Sequence, residues 1–377
     1  MLRKPLTRLA ILVWIAALTL LVTPIMAQTS TPVSFPLAAP GPYSVGLKTV
    51  IFTDTSRQKR RMTDYVWYPA VVPANPTSVE QDNANRVGWL KAEPDVKAAP
   101  YPLILISPGY TQSAIDFKFL AFTLVSQGFV VVGLAHPNEE SPLSFVNRPM
   151  DVLYVLDQLA AQNQSDFGGV IDTDHVGVMG DSYGAYTTLA ITGARIDPVA
   201  ASAITAKPFA GAGVVDSDAR NVWSDWNWDK VTAYRSKFST LQSGELWPPV
   251  TDKRIKAALM MSVCWIGMFG EKGLAAASVP SLIVGGVKDP LCHYDPNDAY
   301  AFAHLGSQDR YLLTMVNGEH VPGFDDATLP FTTQMITAFF GYYLQGQQDD
   351  IQYLTEKYVG DVEVQLKLGL VWGPYTK

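Results

Sequence analysis

Gly180-Asp181-Ser182-Tyr183-Gly184 holds one serine between two glycines. A serine hydroxyl becomes a useful nucleophile only beside a base. The flanks say how it is presented. Val176 to Met179 is a short apolar run of strand character, and Tyr183 to Thr192 reads as a helix. A strand entering a G-x-S-x-G turn that opens a helix is a nucleophile elbow. Gly180 and Gly184 remove side chains that would collide with strand or helix. Ser182 then stands where backbone N–H groups favour developing negative charge.

The serine needs a base, and the chain has five histidines. His136 and His175 precede Ser182, His293 lies in the loop of the expected acid, and His304 falls within a predicted helix. His320 follows a strand, in Asn317-Gly318-Glu319-His320-Val321-Pro322-Gly323. Reactive groups of open α/β sheets gather beyond the carboxyl ends of the strands, so His320 is the expected base. It would take the Ser182 proton and return it to a leaving alcohol. The orienting carboxylate should lie between the two. Asp289 follows the strand Ser281 to Gly286; its rivals are Asp298, which reads as helical, and Asp295, which reads as a helix N-cap.

An oxyanion needs two backbone donors. The N–H of Tyr183, next after the serine, is one. The other is expected from Ser107-Pro108-Gly109-Tyr110-Thr111, at the Tyr110 N–H, with Gly109 letting the chain turn close to substrate. The Tyr110 and Tyr183 rings are expected to wall the acyl site. The set implies no metal and no cofactor, and Asp216-Ser217-Asp218 reads as a solvated turn.

These residues require a scaffold of alternating elements. Strands are read at Tyr43 to Phe52, Met62 to Tyr68, Leu103 to Ser107, Phe129 to Leu134, Val176 to Met179, Ile255 to Val263, Ser281 to Gly286 and, as the last, Tyr311 to Val316. Helical spacing recurs at Ile115 to Gln127, Val146 to Ala161, Tyr183 to Thr192, Pro296 to Leu305 and Leu329 to Leu344. Continuous apolar strands alternating with helices imply a mostly parallel sheet covered on both faces. Residues 70 to 100 read as an exposed polar loop. Residues 195 to 253 have no clean strand but carry Trp223, Trp226, Trp228 and Trp247, and are expected as a lid-like insertion or pocket wall.

The chain has 377 residues, 48% hydrophobic and 17% charged, which excludes both a disordered chain and a multi-span membrane protein. With 28 basic against 35 acidic residues, it is a poor partner for nucleic acid. Arg3, Lys4 and Arg8 precede an apolar run from Leu9 to Val22, and a small residue follows at Ala27. This reads as a secretory signal over 1–27, then a flexible leader over 28–41 and one domain over 42–377. The run is short for a membrane span, so a membrane would be met only if residues 9–22 stay uncleaved.

Beyond the local motifs, the chain resembles the α/β-hydrolase superfamily. Within it, the chain is similar to bacterial predicted dienelactone hydrolases and to type II platelet-activating-factor acetylhydrolases. The resemblance runs from about Gly41 to Gly346. It is carried by Gly41-Pro42-Tyr43-Ser44-Val45-Gly46, Val66-Trp67-Tyr68-Pro69-Ala70, Ser107-Pro108-Gly109, His136-Pro137, Arg148-Pro149-Met150-Asp151-Val152 and Phe269-Gly270-Glu271-Lys272-Gly273-Leu274. It implies Ser182, Asp289 and His320 as the catalytic triad. Ser107 stands where relatives usually carry His, Asp181 replaces the commoner His, and the nucleophile is serine where true dienelactone hydrolases use cysteine.

Cys264 ends the strand before the one leading to Asp289, and Cys292 follows Asp289 by three residues. Neighbouring parallel strands bring these ends together, so a Cys264–Cys292 disulfide is expected, suited to an exported protein. Its reduction is expected to lower thermal stability before it touches chemistry. The resulting expectation is a secreted serine hydrolase of carboxylic esters acting on a small-molecule ester or lipid. A peptidase or amidase with the same triad is the alternative; a non-catalytic binding protein on this scaffold is the alternative of another class.

Overall fold

The computed structural model describes residues 32–137, 141, 143–205 and 228–376. The stretch read as a signal, the Asp216 and Asp218 pair, and Trp223 and Trp226 lie outside the described residues.

The order of apolar residues builds the sheet. In strand β4 (Tyr101–Ser107) every residue is buried. Leu103 and Leu105 join the core on one face, and Ile104 and Ile106 join the core on the other. A strand that must be apolar on both sides can only be covered on both sides. The same split recurs in β6 (Ile171–Asp181), β7 (Ile255–Met261) and β8 (Ser281–Gly286). With β1 (Ser44–Asp54), β2 (Arg60–Ala70), β3 (Trp89–Leu90), β5 (Val130–Gly133), β9 (Arg310–Met315) and β10 (Leu370–Trp372), they form one ten-stranded sheet among the described residues. Its order is β10-β9-β8-β7-β6-β4-β5-β2-β1-β3. From β5 to β9 the strands are parallel; β2 pairs antiparallel with β5, and β10 with β9.

Helices cover both faces. Helix α3 (Ser144–Phe167) buries Val152, Val155, Leu156 and Leu159 in one core and ends at Gly168, whose φ of 64° is left-handed. Pro149 lies inside it without an N–H to give Phe145, four residues earlier. The Phe145 carbonyl instead accepts from the Tyr186 hydroxyl at 3.0 Å, which ties α3 to α4 (Tyr183–Ile191). On the opposite face Leu120, Leu124 and Val125 of α2 (Lys118–Ser126) pack with Phe331, Phe339 and Phe340. This is the α/β-hydrolase fold. No helix of the described residues is long and apolar enough to cross a membrane.

Two local expectations are corrected. Residues 70–100 are not simply loop: they hold α1 (Ser78–Val87) and β3. This helix buries only Ala84, so it has no apolar stripe to read, and it starts at a capping box between Thr77 and Glu80. The last strand is β10, reached through a helix at Glu356–Leu366. Within the leader, the Val33 and Leu37 N–H groups donate to Gln365 and Gln334, and that of Gly41 donates to Ser126 Oγ at 2.8 Å.

Of the insertion, helices at Pro198–Thr205 and Trp228–Arg235 are described. Trp228 stacks on buried Trp247 with ring centroids 5.0 Å apart, and Arg195 donates to the carbonyls of Leu246 and Trp247.

Phe340 fills the space over Gly177 in the middle of β6, where any Cβ would strike its ring. Phe340→Ala empties that space and should cost about 3–5 kcal/mol. Urea unfolding followed by tryptophan fluorescence checks it; a loss under 1 kcal/mol contradicts this packing.

Candidate active site

The carboxyl ends of β4, β6, β7, β8 and β9 lie side by side in the sheet. Each carries one part of the site: the Ser107–Tyr110 turn after β4, Ser182 after β6, Cys264 after β7, Asp289 after β8 and His320 after β9.

Ser182 takes φ 53° and ψ −118°, a strained conformation for a residue with a side chain. Its N–H donates to the Met261 carbonyl at 2.8 Å, and its carbonyl starts α4 by accepting from Ala185. Both flanking glycines are required. A Cβ on Gly180 would lie inside the Gly184 backbone, and one on Gly184 would strike the Ser107 carbonyl. Ser182 is half-buried, as is Tyr110, while the Tyr183 ring is buried. That ring does not wall an open site. It packs against Phe145, lies under the Arg148 guanidinium at 4.4 Å, and its hydroxyl bonds Ser144 at 2.6 Å. The first turn of α4 points residue 183 inward, so its backbone and its ring face different surroundings.

His320 Nδ1 and Asp289 Oδ2 are 2.8 Å apart. Asp289 is buried, and its second oxygen accepts from the Leu291 and Cys292 N–H groups at 2.8 Å each. Burial opposes its charge, but His320 and these two donors outweigh it and hold its pKa below the usual carboxylate value. An ionised Asp289 can only accept, so Nδ1 carries the proton and Nε2 is left as the basic nitrogen. The rivals take no part in this pair. Asp298 accepts from the Val263 N–H at 2.9 Å, and Asp295 is exposed. The His320 loop is held in place: Val321, at φ 53°, donates to the Ser262 hydroxyl at 2.8 Å. Gly286 gives it room, since a Cβ there would strike the Glu319 carbonyl.

Cys264 and Cys292 form the expected disulfide, with Cα atoms 5.3 Å apart. Cys264 Sγ lies 3.7 Å from Ser182 Oγ. Cys292 Sγ, an Asp289 oxygen and a His320 nitrogen lie within 4.8 Å of one another. The bridge therefore joins the elbow to the Asp289–His320 pair. The sulfurs thus lie against the candidate site itself.

The other histidines are elsewhere. His175 is exposed and pairs with Asp172 at 2.8 Å, His293 is exposed, and His304 packs on the Tyr300 ring. His136 is buried between Ser107 and Asp151. Sequence reasoning missed the roles of Asp181 and Gln112, whose side chains both accept from the Gly109 N–H, at 3.1 and 2.8 Å. The signal available was the unusual acid beside Ser182.

The sheet order and the elbow are those of the α/β-hydrolase fold. Residues 93–216 match the family described as PETase: PET hydrolase-like. The match covers less than half of the chain; it spans β4, its turn and the Ser182 elbow, and stops before Asp289 and His320. No curated protein matches the chain. The match supports an ester hydrolase in general.

Burial pushes the Asp181 carboxyl up to about 6, against the opposing pull of His320, Gln112 and Arg148. A carboxyl raised in the folded state favours folding below its unfolded value of about 4. That contribution is lost as pH rises through its folded value. Asp181→Asn keeps an acceptor for Gly109 and cannot ionise. It should melt higher than the wild type at pH 8, with the gap closing by pH 4. Melting curves across that range check it, and a gap that widens toward acid contradicts it.

Proposed function

We propose that the protein is a secreted serine hydrolase of carboxylic esters. Ser182 Oγ attacks the ester carbonyl as His320 Nε2 takes its proton. The Tyr110 and Tyr183 N–H groups hold the oxyanion, the alcohol leaves with the proton from His320, and water then frees the acid by the same route. Asp289 keeps His320 in the right tautomer and steadies its positive form. The observation that carries the reading is Ser182 at positive φ, joined through the Cys264–Cys292 bridge to a hydrogen-bonded pair of buried Asp289 and half-buried His320. Export is supported by the Cys264–Cys292 bridge and by the basic and apolar N-terminal run.

For the substrate, the matching family's description points to polyesters of the PET type. We propose aromatic and polymeric esters as the substrate class.

Hydrolysis of p-nitrophenyl esters from acetate to palmitate, alongside aromatic polyester film, tests this. The wild type should cleave short esters and release soluble product from film, and Ser182→Ala should lose at least a thousandfold in kcat. A folded wild type inactive on every ester contradicts the esterase reading; activity on short esters without film release contradicts the polyester class.

A further inference from the structure

A Ser–His–Asp set other than the proposed Ser182, His320 and Asp289 lies inside the protein. Ser107 Oγ is 3.0 Å from His136 Nε2, and His136 Nδ1 is 3.1 Å from Asp151 Oδ2. Ser107 and His136 are buried, and Asp151 is fully so.

The direction of every bond in this chain can be worked out. Asp151 accepts from Arg60 through both oxygens, at 2.9 and 2.7 Å, and is ion-paired with Arg57 at 2.8 Å. Burial opposes its charge, but the His136 and Arg60 bonds outweigh it and keep its pKa low, so it can only accept. His136 must donate to it through Nδ1. Burial and then Arg148 push His136 down to about 4, so its ring is neutral near pH 7 and Nε2 must accept. The Ser107 hydroxyl therefore donates to Nε2, and its lone pairs face Arg148, which donates to Ser107 Oγ at 3.2 Å. The same Arg148 nitrogen donates to the Pro108 carbonyl, and Arg148 Nε donates to Thr187 Oγ1 on α4 at 3.0 Å.

This chain ends on the turn that the esterase reading uses for its oxyanion donor. Ser107 and Pro108 lead directly into Gly109 and Tyr110. The Gly109 N–H is held from the other side by Asp181 and Gln112. A serine with its proton committed inward, and with a cation on its oxygen, is a strut and not a nucleophile.

We propose that Ser107, His136, Asp151 and Arg148 form a positioning relay that sets the Tyr110 N–H against the reacting carbonyl, fixing the second half of the oxyanion hole relative to α4. The inference rests on the serine esterase reading above. Arg148 is the joint, because it bonds both the turn and the helix that follows Ser182. Displacement of a preorganised donor by a fraction of an ångström weakens transition-state binding while leaving ground-state binding nearly unchanged.

The test uses p-nitrophenyl butyrate kinetics and a trifluoromethyl ketone, which forms an oxyanion on the nucleophile. Ser107→Ala removes one oxygen and is the variant most able to fold; Arg148→Met and Arg148→Lys accompany it, with circular dichroism and melting as controls. The relay predicts that Ser107→Ala lowers kcat about ten- to a hundredfold with KM within about twofold. The ketone's Ki should rise by the factor by which kcat/KM falls. Arg148→Lys, which keeps a donor for the Pro108 carbonyl, should recover part of the loss seen in Arg148→Met. Wild-type kcat in folded Ser107→Ala overturns the relay, as does a kcat loss that leaves the ketone's Ki unchanged. A folded wild type with no ester hydrolysis would overturn the esterase reading and the relay together, whereas an active wild type beside a fully active Ser107→Ala overturns the relay alone.

Discussion

The turn after β4 and the elbow after β6 touch backbone to backbone. The Ser107 carbonyl occupies the place where a side chain at position 184 would begin, and the Gly184 backbone occupies the place for one at 180. Two glycines let neighbouring parallel strands end in turns this close. The candidate site is arranged around that contact. Ser182 is forced to positive φ at its tip, the Ser107–Tyr110 turn is held beside it, and β7, β8 and β9 bring the disulfide, Asp289 and His320 to the same edge.

Such closeness requires polar groups to be buried, and burial must be offset by partners. Asp289 is kept charged by one histidine and two backbone donors. Asp151 is kept charged by two arginines and a histidine. Among the described residues no cation is hydrogen-bonded to Asp181, and burial raises its pKa. The three aspartates show how one scaffold moves carboxyl pKa values in opposite directions: Asp289 and Asp151 down, Asp181 up. A buried network of this kind adds little net stability compared with apolar packing, but loss of one member leaves the others uncompensated. That asymmetry fits a network kept for geometry.

The legible features were local. The elbow was readable because strand, turn and helix follow one another within about a dozen residues, and Asp289 because it follows a strand end. The helices at Ser78–Val87 and Glu356–Leu366 were hidden by their polarity, although Thr77 with Glu80 was a capping signal in plain view. The relay was not legible. Arg57, Arg60, Ser107, His136, Arg148 and Asp151 come from distant parts of the chain, and no periodicity links them. The Tyr183 ring misled for a related reason: motif reading places its backbone, while its side chain follows the phase of a helix packed on α3. The roles of Cys264 and Cys292 were half legible, since strand order paired them but did not reveal a sulfur against Ser182.

Ser107 is bonded into a buried Ser–His–Asp set, and Ser182 is the serine proposed to act with Asp289 and His320; only the one at positive φ should react. A p-nitrophenyl phosphonate that tags an activated serine, followed by peptide mapping in a mass spectrometer, tests this directly. The account predicts one phosphonyl group per chain, on Ser182, with labelling lost in His320→Ala. An adduct on Ser107, or none on folded protein, would contradict it.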